Sequence, residues 1–346
     1  MQRDITQHLV KAEEVLQLAS EMSRAYYKQP LVIAYSGGKD SDVLLRVAMG
    51  CLHKEDFEVN NSHTSVDAPE TVYHIRDVFK ELTEKGINAH IHIPRDKNGK
   101  QITMWSMIEE KQMPPTRLAR YCCTTLKEAS APNRLTATGV RKDESVGRGG
   151  RDSFTTFVGD RKKANARHFS IEHAREVFEE ALKVSEEYNE PIETPTPLDC
   201  TMIANMKAKG DTVTMPLYEW SEYDIWNYIQ TRGVKVNPLY ARGYKRVGCV
   251  GCPLGGRNHQ LKEFADYPIY KENYIRAFDR MMKRRREKGK DDVTGKEGWH
   301  IWRTGQDVFN WWIGEGENTI YGQMTFEDFV NEKGDKTLIL SGKENK

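Results

Sequence analysis

Leu31-Val32-Ile33-Ala34-Tyr35-Ser36-Gly37-Gly38-Lys39-Asp40-Ser41-Asp42-Val43-Leu44-Leu45 is the stretch on which the fold turns. An apolar run, short enough for a buried parallel strand, breaks at Ser36-Gly37-Gly38. It restarts at Val43, Leu44, Leu45, Val47 and Ala48, the apolar face of a helix. The pattern predicts a strand, a phosphate loop and a helix. Two glycines let the backbone approach a phosphate closely, and the N–H groups at the helix start aim at it with the positive end of the helix dipole behind them. Lys39 adds a mobile positive charge, Ser36 and Ser41 can donate hydroxyls to phosphate oxygens, and Asp40 could hold a magnesium ion bridging them.

A chain of 346 residues is long enough for one large domain or two, with a substantial core. Hydrophobic residues are 38% and charged residues 30%, and the mean hydropathy is -0.72, polar but globular. A formal net charge of +1 sets up no global field toward nucleic acid or an anionic membrane. The longest basic run, Lys283-Arg284-Arg285-Arg286, is local. No apolar stretch approaches the ~20 residues that span a bilayer, and Met1-Gln2-Arg3-Asp4 does not open a signal peptide, so a cytoplasmic protein with no membrane partner is expected. Six cysteines in such a chain argue for metal or redox chemistry rather than a disulfide framework.

Outward from the loop, residues 4–27 carry Ile5, Leu9, Val15, Leu16, Ala19 and Met22 at near-helical spacing, an amphipathic helix for one edge of the sheet. Phe57 to Val59 begins a second strand, leading to Asp67 and Glu70 just before a helix. An α/β sheet presents ligands beyond the carboxyl ends of its strands at such a position, and a helix cap with an acidic first turn accounts for the pair as well. Ile87, Ala89, Ile91 and Ile93 alternate with Asn88, His90 and His92 as a half-buried third strand. A fourth strand ends in Gly139-Val140-Arg141, and arginine forks suit phosphate, sulfate or carboxylate. From Gly147 to Arg167 the composition turns Gly-rich and basic, read as a mobile flap or a polyanion contact, with a solvated loop the commoner explanation. Ile171 to Tyr188 reads as a charged amphipathic helix, Glu190 to Thr201 as a linker, and Val213 to Leu217 as a strand. Trp220 to Ile229 reads as a helix capped by Ser221 with Asp224 at its third position. Val308, Phe309, Trp311, Trp312 and Ile313 are most economically a core patch.

Cys249 and Cys252 form Cys-x-x-Cys flanked by Gly248, Gly251 and Pro253, a tight knuckle whose N–H groups can stabilise thiolate or sulfide, and Cys122-Cys123 supplies an adjacent pair. Four thiolates are what either a 4Fe-4S cluster or a structural zinc requires. An adjacent Cys-Cys pair is awkward for zinc, which usually draws on two knuckles, so the cluster is favoured with zinc left open.

Ser36 to Ser41 matches Ser-Gly-Gly-x-Asp-Ser, the signature of the PP-loop ATP pyrophosphatases. With Val66 to Thr71, Arg120 to Lys127, Gly139 to Arg148, Pro216 to Ile229 and Asn237 to Pro253, the chain resembles the phosphoadenosine phosphosulfate (PAPS) reductase family of the adenine nucleotide alpha hydrolase superfamily. The resemblance implies an α/β fold, a parallel sheet flanked by helices, over residues 29–256, preceded by an N-terminal helix (1–28) and followed by a helical region (257–346). The paired Cys122-Cys123 with Cys249 and Cys252 is similar to the cluster ligands of adenylyl-sulfate reductases, although the separation between the pairs is longer here. Those reductases attack the sulfonucleotide with a cysteine in a C-terminal tail, and this chain has no cysteine after Cys252. The intact Ser-Gly-Gly-Lys-Asp-Ser instead suits the ATP-cleaving branch, which includes the similar cluster-bearing pyrophosphatase of DNA phosphorothioation systems.

The expected enzyme binds ATP and Mg2+, breaks the α–β bond and adenylates an acceptor oxygen that a sulfur donor then displaces. Nucleotide contacts are expected from Ser36, Gly37, Gly38, Lys39, Asp40, Ser41, Gly139 and Arg141, catalysis from Lys39, Asp40, Asp67 and Arg141, and cluster ligation from Cys122, Cys123, Cys249 and Cys252. The partners are an adenine nucleotide, an unidentified sulfur acceptor for which nucleic acid is one class, and a sulfur donor or thioredoxin-like reductant, with a homo-oligomer left open. Two rivals stand beside it: an APS or PAPS reductase using Cys200, and a nucleotide-sensing or nucleic-acid-binding subunit using Arg148, Arg151, Arg161 and Lys162.

Overall fold

The computed structural model describes residues 5–144, 152–157, 166–189, 191–192, 210–290 and 302–314. In chain order they form α1 (Thr6–Met22), β1 (Leu31–Ala34), α2 (Lys39–Cys51), β2 (Phe57–Ser62), α3 (Pro69–Glu84), β3 (Ala89–His92), α4 (Met104–Lys111), α5 (Tyr121–Leu126), β4 (Leu135–Ala137), β5 (Phe154–Phe157), β6 (Ala166–Phe169), α6 (Ile171–Tyr188), β7 (Thr212–Thr214), α7 (Glu222–Arg232), α8 (Arg257–Asp266), α9 (Pro268–Glu287) and α10 (Gly305–Trp312). The chain divides into two units, Met1–Met104 with Ala119–Cys252, and Trp105–Leu118 with Pro253–Lys346. Arg148, Arg151, Arg161, Lys162 and Cys200 lie outside the described residues.

The first unit is built on a seven-stranded sheet in the order β3-β2-β1-β4-β7-β5-β6. β3, β2, β1, β4 and β7 run parallel, and β5 pairs antiparallel with both β7 and β6. β1 has β2 on one side and β4 on the other, so the winding direction reverses at β1. The glycine loop follows its carboxyl end, the position at which such sheets take ligands. Alternation decides the faces: Leu31, Ile33, Phe57, Val59, Leu135 and Ala137 join α1, α2 and α3 in one buried cluster. Each such side chain fully removed from water contributes about 1.5–3 kcal/mol. The alternate positions carry the polar Glu58, Asn60 and Thr136 beside the buried Val32, and a cavity of about 300 Å³ lined by Glu58, Asn60, His90 and Arg134 opens there.

Three expectations are corrected. Ala12, Leu16, Ala19 and Met22 of α1 are 0% exposed and lie inside the core cluster rather than over an edge. β3 is an edge strand, so Ile91 and Ile93 are 41% and 40% exposed where the alternation suggested a buried face. The Gly-rich basic segment contains the antiparallel pair β5 and β6, because Phe154-Thr155-Thr156-Phe157 is a run of β-branched and aromatic residues. The helix at Ile171–Tyr188 is as expected, and so is the Ser221–Asp224 capping box that opens α7.

The second unit contains most of α4 and all of α8, α9 and α10. Phe264, Tyr274, Phe278, Phe309 and Trp312 pack as an aromatic cluster, with ring centroids 4.7 Å apart for Tyr274 and Trp312 and 5.0 Å for Phe264 and Phe309. The Trp312 indole donates to the Pro115 carbonyl at 2.6 Å, so the aromatic run is core, as its spacing suggested. No helix among the described residues is long and apolar enough to cross a membrane.

Two outcomes follow from packing. A Cβ at Gly305 would collide with the Ile275 carbonyl and lie 2.7 Å from the Asp279 amide, whereas nothing lies within 4 Å of one at Gly50. Denaturant unfolding should show Gly305→Ala destabilised by about 1–3 kcal/mol and Gly50→Ala stabilised by about 0.5–1 kcal/mol. Arg46 on α2 grips Glu81 on α3 through two bonds of 2.7 and 2.9 Å, which, with Lys85, hold the Glu81 carboxyl down at about 2. Its stabilisation is therefore present above the ordinary carboxylate value and lost as pH falls through the range from about 4.3 toward the folded value. Glu81 is 36% exposed, so the contribution is about 1 kcal/mol or less. Glu81→Gln should flatten the stability profile across that range and leave it parallel to wild type above.

Candidate functional site

The loop between β1 and α2 is shaped by its glycines. Gly37 takes φ +73°, which L side chains rarely adopt, and a Cβ there would lie 2.9 Å from Ile75. Gly38 caps α2 in extended conformation, leaving Lys39, Asp40 and Ser41 to open the helix. Ser41 Oγ donates to the Gly38 carbonyl at 2.8 Å and lies 3.2 Å from the Ser36 amide, drawing the loop closed. Gly139, beyond β4, comes so close that a Cβ would lie 3.0 Å from the carbonyl carbon and oxygen of Asp40. The structure thus brings Ser36, Gly37, Gly38, Lys39, Asp40, Ser41, Gly139 and Arg141 together, as the sequence suggested.

The charged groups over the helix start form one network. Arg141 Nε donates to Asp40 Oδ1 at 2.6 Å, and its Nη2 to Glu222 Oε2 at 2.7 Å. Lys39 Nζ lies 3.1 Å from Asp40 Oδ2 and 3.4 Å from Glu222 Oε2. Both cations are buried, at 7% side-chain exposure for Lys39 and 4% for Arg141. Two positive and two negative charges balance at the positive end of a helix, where backbone N–H groups favour an anion.

Three residues that the sequence reading passed over complete the loop. Asn237, 0% exposed, donates to the Gly37 carbonyl at 3.1 Å and to Thr71 Oγ1 at 3.0 Å while its own oxygen accepts from the Leu239 amide at 3.1 Å. Tyr240 OH accepts from the Lys39 amide at 2.9 Å, and burial pushes its pKa up. Glu222 is the third. Asn237-Pro238 carried a turn signal that could have found the first, but a first-turn acid such as Glu222 is an ordinary helix feature.

Asp67 lies apart from this network. It bridges antiparallel to Cys249, Oδ2 accepts from the Thr64 amide at 3.2 Å, and the α3 cap is Ala68 followed by Pro69, so Asp67 is not the cap. Glu70 pairs with Arg242. The Val250 amide donates to the Val66 carbonyl at 2.8 Å and Cys249 Sγ to Thr64 Oγ1 at 3.6 Å, seating the Cys249 knuckle on the Thr64–Thr71 stretch. The Cys252 amide donates back to the Cys249 carbonyl at 3.1 Å, so it closes the turn while the Val250 amide is spent on Val66, and neither aims at sulfur.

The four thiols are half-buried and occupy one electrostatic neighbourhood. A hydrogen bond between them pushes Cys122 up, with burial and the other three sulfurs adding to it, and pulls Cys123 down, helped by Arg120. Burial pushes Cys249 up to about 11 against the pull of Lys127. Lys127 is a second cation beside the group: Cys249, then Asp67, Cys123 and Cys252, hold its ammonium above the ordinary lysine value. Cys51 is elsewhere, with its thiol pushed up to about 12 by burial. Among the described residues, no three or more His, Cys, Asp or Glu side chains are arranged to hold a metal ion. In residue type alone the set, four cysteines with Arg120 and Lys127 acting on their sulfurs, matches the donors an iron–sulfur cluster takes.

The family model of the phosphoadenosine phosphosulfate reductase domain matches residues 30–254. An uncharacterized protein of Methanocaldococcus jannaschii is 26% identical over 254 residues, 72% of this chain and 42% of that protein. Sulfate adenylyltransferase subunit 2 of a Bradyrhizobium species is 24% identical over 238 residues, 67% of this chain and 62% of the relative. An adenosine 5'-phosphosulfate reductase of Burkholderia cepacia is 46% identical over 46 residues, 13% of this chain and 18% of that enzyme. The chain spans less than two thirds of the length of these curated relatives. Among solved structures, a U34-tRNA thiolase of Methanococcus maripaludis with its 4Fe-4S cluster is 14% identical, covering 83% of this chain and 85% of that one at a TM-score of 0.35. PAPS reductase of Candida auris in a phosphate complex is 15% identical, covering 67% and 87%, at 0.37. Similarity at that level says nothing of this chain's reaction.

The loop's steric limits are directly measurable. Gly37→Ala and Gly139→Ala should each cost about 1–3 kcal/mol in denaturant unfolding, since backbone or packed side chains must move. Gly38→Ala meets only the Tyr240 and Ser36 hydroxyls, at 3.5 and 3.6 Å, and should unfold within about 1 kcal/mol of wild type.

Proposed function

The chain belongs to the phosphoadenosine phosphosulfate reductase domain family, with its nucleotide-binding PP-loop fold, and on that footing we propose that it is an ATP pyrophosphatase that adenylates an acceptor for sulfur transfer. One observation carries the reading: the stretch Thr64–Thr71 touches both the phosphate loop and the thiol group. Asn237 ties Thr71 to the Gly37 carbonyl, and Thr64 and Val66 receive Cys249 and Val250. A site that activates an oxygen with a nucleotide and then brings sulfur to it needs that adjacency.

The loop amides, Ser36, Ser41 and Gly139 would seat the phosphates. An acceptor hydroxyl attacks the α-phosphate, the α–β bond breaks, and Lys39 and Arg141 stabilise the charge gathering on the departing pyrophosphate. Asp40 would turn from Arg141 to a magnesium ion on the phosphates, and Asp67 would take the acceptor's proton. A sulfur nucleophile then displaces AMP from the adenylated acceptor. Cys122, Cys123, Cys249 and Cys252 would hold a 4Fe-4S cluster, which, with a thiolate on every iron, would supply an electron carrier beside the nucleotide loop. The acceptor class, nucleic acid or metabolite, and the sulfur donor belong to the same proposal.

Anaerobically purified protein should contain iron and acid-labile sulfide and lose both in Cys122→Ser with Cys252→Ser. It should release pyrophosphate from ATP when given bulk tRNA, duplex DNA or a sulfhydryl-free metabolite pool. Lys39→Ala should lower that release about 10²–10³-fold with the fold intact. Sulfite formed from PAPS and thioredoxin, with no pyrophosphate from ATP under any of these conditions, would overturn the proposal in favour of reductase chemistry.

A further inference from the structure

We infer that Glu222 is a built-in counter-anion, seated over Lys39 and Arg141 in the place a nucleotide's phosphate takes, so that nucleotide binding proceeds by its displacement. The inference rests on the phosphate loop binding a nucleotide, as proposed above, and adds a residue that works against that binding.

The exposures are unequal in a telling way. Lys39 and Arg141 are buried, and Asp40 is 20% exposed, while the Glu222 side chain is 55% exposed. A single oxygen, Glu222 Oε2, lies 2.7 Å from Arg141 Nη2 and 3.4 Å from Lys39 Nζ, while Oε1 accepts from the Trp226 indole at 3.1 Å. The carboxylate therefore reaches from solvent onto two buried cations, as an incoming anion would. It comes from a different element, the first turn of α7, whose position the Ser221–Asp224 capping box fixes independently of Glu222.

The same substitution of protein oxygen for phosphate oxygen recurs around the loop. The Lys39 amide donates to Tyr240 OH and the Ser36 amide lies 3.2 Å from Ser41 Oγ. Among these oxygens, that of Glu222 is the one whose release costs least, because its side chain is long and more than half in water. The Tyr240 side chain is half-buried and held by the Lys39 amide, and Asp40 is anchored on the loop itself. Opposed in this way, Lys39 and Arg141 present no net positive charge until the carboxylate swings out. With its carboxylate partner more than half in water, the pair is weak enough to yield to a polyphosphate and strong enough to weaken its affinity measurably.

The test is calorimetric titration of inorganic pyrophosphate into wild type, Glu222→Gln and Glu219→Gln, with and without magnesium. Glu219 is the control for net charge, since it pairs with Lys11 at 3.1 Å and not with either loop cation. Glu222→Gln should bind pyrophosphate about three- to tenfold more tightly, by the same factor in both conditions, with Glu219→Gln unchanged. Affinity unchanged or weakened in Glu222→Gln would overturn the inference, and weakening confined to magnesium would make the carboxylate a metal ligand of the bound state instead. An equal gain in Glu219→Gln would reduce it to bulk charge. Absence of pyrophosphate binding in all three proteins, wild type included, would overturn the nucleotide reading and the inference together.

Discussion

One buried carboxamide holds the site together. Asn237 spends both sides of its amide on backbone and hydroxyl partners from three separate places: the Gly37 carbonyl in the phosphate loop, the Thr71 hydroxyl at the start of α3, and the Leu239 amide in the turn that carries Tyr240. A fully buried amide left unpaired would cost about 1–3 kcal/mol, so all three partners are fixed together or not at all. The positive-φ glycine, the first turn of α3 and the Tyr240 hydroxyl on the Lys39 amide are thereby one rigid assembly.

Electrostatics impose a second constraint on the same assembly. A guanidinium buried to the extent of Arg141 is stable only with partners, and removal of one partner from such a pair typically costs about 3–5 kcal/mol when no other takes its place. Asp40 and Glu222 meet that demand from opposite sides, and Lys39 shares both. Among the thiols, Arg120 and Lys127 supply the opposing charge: Arg120 helps to pull Cys123 down, and Lys127 acts on Cys249.

Much of this was legible in the residues, and the parts that were not have a common cause. Ser36 to Ser41 declared itself because glycine conformations, hydroxyl spacing and the restart of apolar residues all act within a few positions. The Ser221 cap, the Ile171 helix and the aromatic core of the second unit are equally local. Glu222 was invisible since its meaning depends on Arg141, 81 positions earlier, and Asn237 since its partner Gly37 is 200 positions away. Ile91 and Ile93 misled for the opposite reason: alternation reports a pleat, but only topology says whether anything covers it. At β5 and β6 the surrounding glycines and basic residues outweighed a short aromatic and β-branched run.

Strand order also dictates when the sheet can close. β5 and β6 leave the ribosome before β7, yet β7 is the strand that joins them to β4 and the rest of the sheet. A lone two-stranded ribbon is marginal in water, so during synthesis the Phe154 hairpin must wait, unsupported, for a partner encoded more than forty residues downstream. The β1–β3 half, whose pairings join neighbouring strands in the chain, can already be compact by then. The nascent protein thus passes through a stage in which its phosphate loop is supported by β1 and β2 while its cysteine knuckle has yet to emerge.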